Sequence, residues 1–195
     1  MAGKLKTGSE RFISKDRKLP ASLLDFWQWS SSDLLSNALR GVLAEFIVAM
    51  ALGINIDKPR EEWAMYDLVT NEGIKVEVKS AAYVQSWKQT KPSKISFSIR
   101  NTIGYDEDGK PIHETPRRQA DVYVFCLLAV EDGMKVDPMK LDQWEFYILT
   151  AKILNELMPA QKSISLSRLQ KICKTKLHFE EINDFINDEI LIGIN

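Results

Sequence analysis

The chain has 195 residues, 45% of them hydrophobic and 27% charged, with a formal net charge of −1. Usage this ordinary excludes a mainly disordered or fibrous chain, and the length suits one compact domain with a small appendage. The near-neutral total gives no reason to expect a polyanion partner. The local distribution of charge does.

Residues 1–20 carry Lys4, Lys6, Arg11, Lys15, Arg17 and Lys18 against Glu10 and Asp16, with no hydrophobic period. This predicts a basic, mobile N-terminal arm over 1–30. Its polar start lacks the apolar core of a signal peptide. A helix follows, with Ser31 or Ser32 as N-cap, Asp33 in the first turn and Gly53 as its stop. Leu34, Leu35, Leu39, Val42, Leu43, Phe46, Ile47 and Met50 make it apolar on nearly every side, a core helix of about 20 residues and roughly 30 Å. The stretch from Gly41 to Ile54 is too short to span a bilayer and contains Glu45, so no membrane partner is expected. Cys126 and Cys173 form no C-x-x-C pair and read as reduced, buried thiols of a cytoplasmic protein. His113 and His178 are too few for a His-rich zinc site.

Met65–Thr70 and Ile74–Ser80 read as strands around a three-residue loop, Asn71-Glu72-Gly73, with Gly73 at positive φ. Ile95–Arg100, Asp121–Val130 and Trp144–Thr150 are further strands. The continuous apolar run of Asp121–Val130 marks a central strand covered on both faces. Residues 101–118 form a long loop, and helices are expected over 151–157, about 165–173 and about 179–190. The end of the chain is acidic, with Glu180, Glu181, Asp184, Asp188 and Glu189. The expected fold is α/β: a central mixed β-sheet flanked by helices over 31–150, with a helical C-terminal extension over 151–195 packed on that core.

If 71–73 is the loop, Asp67 lies directly across from Glu77 on one face of the hairpin. Two carboxylates at cross-strand distance repel each other, and a divalent cation between them reverses that interaction. Hard oxygen donors suit Mg²⁺ or Mn²⁺. Strand alternation puts Lys79 on the same face, where its ammonium can orient a water or neutralise charge on a phosphate. An E-x-K triplet by itself is usually a solvated charged strand face. Glu45 adds weight, being the one ionisable residue of GVLAEFIVAMALGI, without a cation at i±3 or i±4 on its own helix.

Glu45 on the first helix, Asp67 near a strand, and Glu77-Val78-Lys79 on the next strand resemble the motif of the PD-(D/E)XK nuclease superfamily. The resemblance covers roughly residues 33–130. It implies a restriction-endonuclease-like core in which Asp67, Glu77 and the Val78 carbonyl hold Mg²⁺ (or Mn²⁺). It also implies that Lys79 helps activate the attacking water and that Glu45 supports the metal shell or a second metal. Tyr66 stands where the family's name-giving proline would be. The family's helix after the third core strand has no clear counterpart in this sequence.

Residues 75–100 carry Lys75, Lys79, Lys88, Lys91, Lys94 and Arg100 against Glu77 alone, with Tyr83, Gln85 and Trp87 among them. Basic groups neutralise phosphates, and aromatics or amides touch bases and sugars. Arg40, Gln85, Trp87, Lys88, Lys91 and Lys94 are therefore the expected nucleic-acid contacts, with DNA as the partner. The blander reading makes these lysines a solubilising loop and Trp87 a core residue. A homodimer would match the two-fold symmetry of duplex DNA. The expected function is a Mg²⁺-dependent DNA endonuclease. A nuclease fold that binds nucleic acid or protein without cutting is the alternative.

Overall fold

The computed structural model describes residues 4–60, 64–106, 108–173 and 175–190. The first three residues of the expected arm and the last five of the C-terminal extension lie outside them, as does the side chain of Glu189. The chain begins with a hairpin, β1 (Arg11–Ser14) and β2 (Arg17–Ser22), and then a helix, α1 (Leu23–Ser31). Lys15 and Asp16 turn the hairpin with φ of 46° and 61°. Both lie in the left-handed region used by tight two-residue turns. Ser22 caps α1 in a reciprocal box: Asp25 N–H donates to Ser22 Oγ at 3.3 Å, and Ser22 N–H donates to Asp25 Oδ2 at 2.6 Å. Residues 11–31 are thus a folded hairpin–helix and not the expected mobile arm. Lys-Asp is not the Asn-Gly type of dipeptide that announces such a turn, but Ser22-x-x-Asp25 is a readable start signal.

The second helix, α2, runs over Asn37–Ala51 and is capped by Ser36, whose Oγ accepts the Leu39 N–H at 3.3 Å. It is shorter than expected because Asp33 turns the chain first. The Asp33 carboxylate accepts the Leu35 N–H at 3.1 Å, a local bond that competes with helix. Gly53 follows the helix at φ 61°.

Next come β3 (Leu68–Val69), β4 (Lys75–Ala82), β5 (Ser96–Ser98), β6 (Val122–Leu128), β7 (Trp144–Thr150), α3 (Ala151–Leu157), β8 (Ser163–Ser165), α4 (Leu166–Ile172) and α5 (Ile182–Phe185). The central sheet is mixed, in the order β3-β4-β6-β7, with β4 and β6 parallel and the outer pairs antiparallel. Every residue of β6 is buried, as its apolar run predicts. β5 leaves this sheet and pairs with β8, a strand the sequence reading omitted. Around α5, a 3-10 turn at Phe179–Glu181 and a π turn at Ile186–Ile190 complete the last expected helix.

Alternation along the strands makes two cores. On one face Val76, Val78, Val124, Cys126 and Phe146 pack against Ala44, Ile47 and Val48 of α2, with Ile182 and Ile186. On the other, Ala81, Tyr123, Phe125 and Leu149 pack against Phe97, Ile99, Leu154 and Leu169. The parallel β4/β6 pair requires a crossover. Residues 83–121 supply it with β5 and loops, and no helix occurs among those described. Residues 85–93 are instead a loop tied by glutamines, with Gln85 N–H donating to Gln89 Oε1 at 2.6 Å and Gln89 Nε2 to Tyr83 O at 3.2 Å. Both cysteines are free; Cys126 is buried and Cys173 only half-buried. No helix of the described residues is long and apolar enough to cross a membrane.

Candidate active site

The hairpin before β4 closes as its sequence predicts. Thr70 N–H donates to Ile74 O at 3.0 Å, and Gly73 adopts φ 86°. Leu68 pairs with Val76 and Val69 with Lys75, which carries Asp67 opposite Glu77. The regular strand β3 is only two residues long, so side-chain bonding holds Asp67 in place of a ladder. Asp67 N–H donates to Val76 O at 3.1 Å, and the Val78 N–H donates back to Asp67 Oδ2 at 2.7 Å.

Burial, then the neighbouring Glu77 charge, push the Asp67 carboxyl up to about 6. The Val78 N–H and the Lys79 ammonium oppose the shift, and the Glu45 charge adds to it. Glu77 and Lys79 share a face, as alternation requires, and are ion-paired through Oε1 and Nζ. Across β6, Tyr123 stands in register with Glu77. Burial, reinforced by Glu77, pushes its phenol well above the ordinary range, so it keeps its proton. Glu77, Lys79 and Tyr123 line a cleft of about 230 Å³ with Ser98, Arg100 and Gln119. Tyr66, at the motif's proline position, lies under Lys75, whose Nζ is 5.5 Å from the ring centroid.

Glu45 does not join Glu77 and Lys79. Its helix covers the opposite sheet face, and its carboxylate, 13% exposed, is held by Arg60 through Nε and through Nη2 at 3.0 Å. The cation missing from the helix comes from the loop that follows it. The Glu45 charge still reaches Asp67 and adds to the rise of that carboxyl.

Among the described residues, no three His, Cys, Asp or Glu side chains form a group that could hold a metal. The oxygens on offer are fewer: Asp67, Glu77 and a backbone carbonyl. Along β4, Val76 O and Val78 N–H both bond toward Asp67. The Val78 carbonyl therefore points to that same edge, beyond the end of β3. Two carboxylates and one carbonyl suit a hard cation that retains water ligands, and the mutual repulsion of Asp67 and Glu77 is what such a cation relieves.

The expected nucleic-acid contacts divide into two groups. Trp87, Lys88, Lys91 and Lys94 are exposed, which removes the core reading of Trp87. Arg40 and Gln85 are spent inside the protein. Arg40 is 4% exposed and donates to Ser80 Oγ (3.2 Å), Leu35 O (2.9 Å), Gln85 Oε1 (3.2 Å) and Asn37 Oδ1 (2.7 Å). Gln85 Nε2 donates to Ala82 O at 2.8 Å. These two residues correct the sequence expectation: they fasten the 85–93 loop to α2 and β4. Sequence reasoning missed Arg60, Tyr123 and Gln119. Tyr123 is hidden in an apolar run, and only the β4/β6 register reveals it.

The family model described as bacteriophage T4 endonuclease IV matches residues 6–168. No curated protein and no solved structure matches the chain.

Proposed function

The chain belongs to the bacteriophage T4 endonuclease IV family, and on that premise we propose that it is a Mg²⁺- or Mn²⁺-dependent DNA endonuclease with a PD-(D/E)XK-type site in a restriction-endonuclease-like core. The observation that carries the reading is the facing pair Asp67 and Glu77 beside Lys79, with the Asp67 carboxyl pushed up to about 6. A bare acidic pair of this kind costs stability, and a cation would convert that cost into affinity.

Asp67 Oδ1, Glu77 Oε2 and the Val78 carbonyl are the oxygens that would hold the metal. When bound, the metal supplies Lewis-acid polarisation of the phosphate. Lys79, beside Glu77, orients the attacking water and neutralises charge developing on phosphate oxygens. Tyr123 lines the cleft and keeps its proton, so its hydroxyl is available as a donor to a bound phosphate. Arg100 at the cleft and Lys88, Lys91 and Lys94 on the adjoining loop bind the flanking phosphates. Arg40 and Gln85 keep that loop in place, and Glu45 with Arg60 sets the charge around Asp67.

Nicking of supercoiled plasmid tests the reading. The wild type should cut with Mg²⁺ or Mn²⁺ and stop in EDTA, while Asp67→Ala protein should not cut detectably. Unchanged Mg²⁺-dependent nicking by Asp67→Ala would overturn it.

A further inference from the structure

The N-terminal hairpin–helix presents many exposed apolar and basic side chains. Helix α1 buries none of its residues. Phe12, Leu24, Phe26 and Trp27 are exposed, and Trp29 is 84% exposed at the helix's C-terminal end. Lys4, Lys6, Arg11, Lys15, Arg17 and Lys18 stand among them, and none forms a salt bridge within the described residues. Two of the module's three acids, Glu10 and Asp25, are engaged. Glu10 accepts the Gly8 N–H at 2.9 Å, and Asp25 serves the α1 cap. The result is a folded surface of cations without salt bridges, of which Arg11 also donates to the Pro20 carbonyl, and of exposed aromatic rings.

Its position gives that surface a direction. Residues 32–36 join α1 to α2, which keeps Trp29 and the α2 N-terminus within about 20–30 Å of each other. At that N-terminus, Asn37 and Arg40 share a cleft of about 360 Å³ with Trp87 and Lys94 of the basic loop. A linker of five residues therefore separates the helix that carries Trp29 from the helix whose start borders the second basic and aromatic surface.

We propose that the hairpin–helix of residues 4–31 is a second nucleic-acid-binding surface. Its lysines and arginines contact phosphates, and its exposed rings, Trp29 foremost, stack on bases or sugars. It adds to the basic and aromatic surface that Trp87 and Lys94 supply. This rests on the endonuclease reading only for the identity of the polyanion. Cations alone fit any anionic surface. Stackable rings interleaved with them fit a nucleic acid, because every base offers a π-face next to a phosphate.

Fluorescence anisotropy of a labelled DNA oligonucleotide, with the full chain in EDTA, tests this without any cleavage. Trp29→Ala should weaken binding roughly tenfold and remove part of the tryptophan quenching caused by DNA. Arg17→Glu with Lys18→Glu should lower the slope of log K against log salt by about 1 to 2. All three positions are exposed, and circular dichroism verifies that the variants fold. Affinity and salt slope unchanged in both variants would overturn the proposal. So would Trp29→Ala turning a dimer into a monomer, or releasing the protein from anionic vesicles, with DNA affinity intact. Cleavage that persists while the variants bind normally removes this inference alone. Variant-sensitive binding without cleavage by the wild type removes the endonuclease reading alone.

Discussion

The Val78 backbone N–H donates to Asp67 Oδ2 at 2.7 Å across the start of the β3–β4 hairpin. This one bond turns a two-residue strand into a fixed mount for an acid. By the geometry of the strand, the Val78 carbonyl points to the same edge as its N–H. The Asp67 carboxyl is held near Glu77 despite their repulsion, and burial first, then the Glu77 charge, raises its affinity for a proton.

Asp67→Asn should therefore stabilise the metal-free protein while abolishing cleavage. The folded state binds a proton at Asp67 more readily than the unfolded chain does. Wild-type stability should fall as pH rises from about 4 to about 6 and then level off. The variant should lack this fall and be more stable at neutral pH by on the order of 1–3 kcal/mol. Urea denaturation across that pH range in EDTA checks the sign.

Divalent-cation affinity should follow the same ionisation. Below pH 6 it should weaken by about tenfold per pH unit, because the carboxylate must lose its proton to ligate. Titration calorimetry with Mn²⁺ at several pH values measures this. Flat affinity from pH 5 to 7 would remove Asp67 from the metal set.

Lys79→Ala should lower the single-turnover cleavage rate by ~10²–10³, the usual loss for one charge-stabilising donor. DNA binding in EDTA should survive, because the exposed lysines of the 85–94 loop remain. A binding loss as large as the rate loss would move Lys79 from water activation to simple phosphate attraction.

Arg60→Ala should leave the Glu45 carboxylate without its guanidinium and so push the Asp67 carboxyl higher still. The acid limb of the pH–rate profile should move toward higher pH. Stability should change by only about 0.2–1 kcal/mol, since the pair is partly exposed. An unmoved acid limb would disconnect Glu45 from Asp67.

Arg40→Met should cost about 1–3 kcal/mol, because part-buried acceptors on Leu35, Asn37, Ser80 and Gln85 lose their buried donor. Arg40→Lys should rescue little of it, as an ammonium cannot serve four divergent acceptors. Thermal melts measure the loss, and limited proteolysis within residues 85–93 reports whether the loop has been released.

Local chemistry was legible before any coordinates. A Gly at the left-handed turn position and the period of two on either side of residues 71–73 determined that Asp67 faces Glu77 and that Lys79 shares their side. The apolar run of β6 likewise announced a central strand. Glu45 and Arg40 show where this reading stopped. Each is a charged residue on a largely apolar helix, and side-chain spacing cannot say what it meets. Arg60 lies beyond the helix, and the acceptors of Arg40 are spread over α2, β4 and the crossover loop.

What the sequence by itself determined about this protein is therefore its short-range geometry: turns, strand faces and the acidic pair. Those follow from backbone sterics and alternation within a few residues. Only the tertiary structure decided that Tyr123 stands in register with Glu77, that Arg60 holds Glu45, and that the basic first thirty residues include a folded module. Pairing between distant segments depends on which faces bury each other, and that free energy is a property of the packed whole.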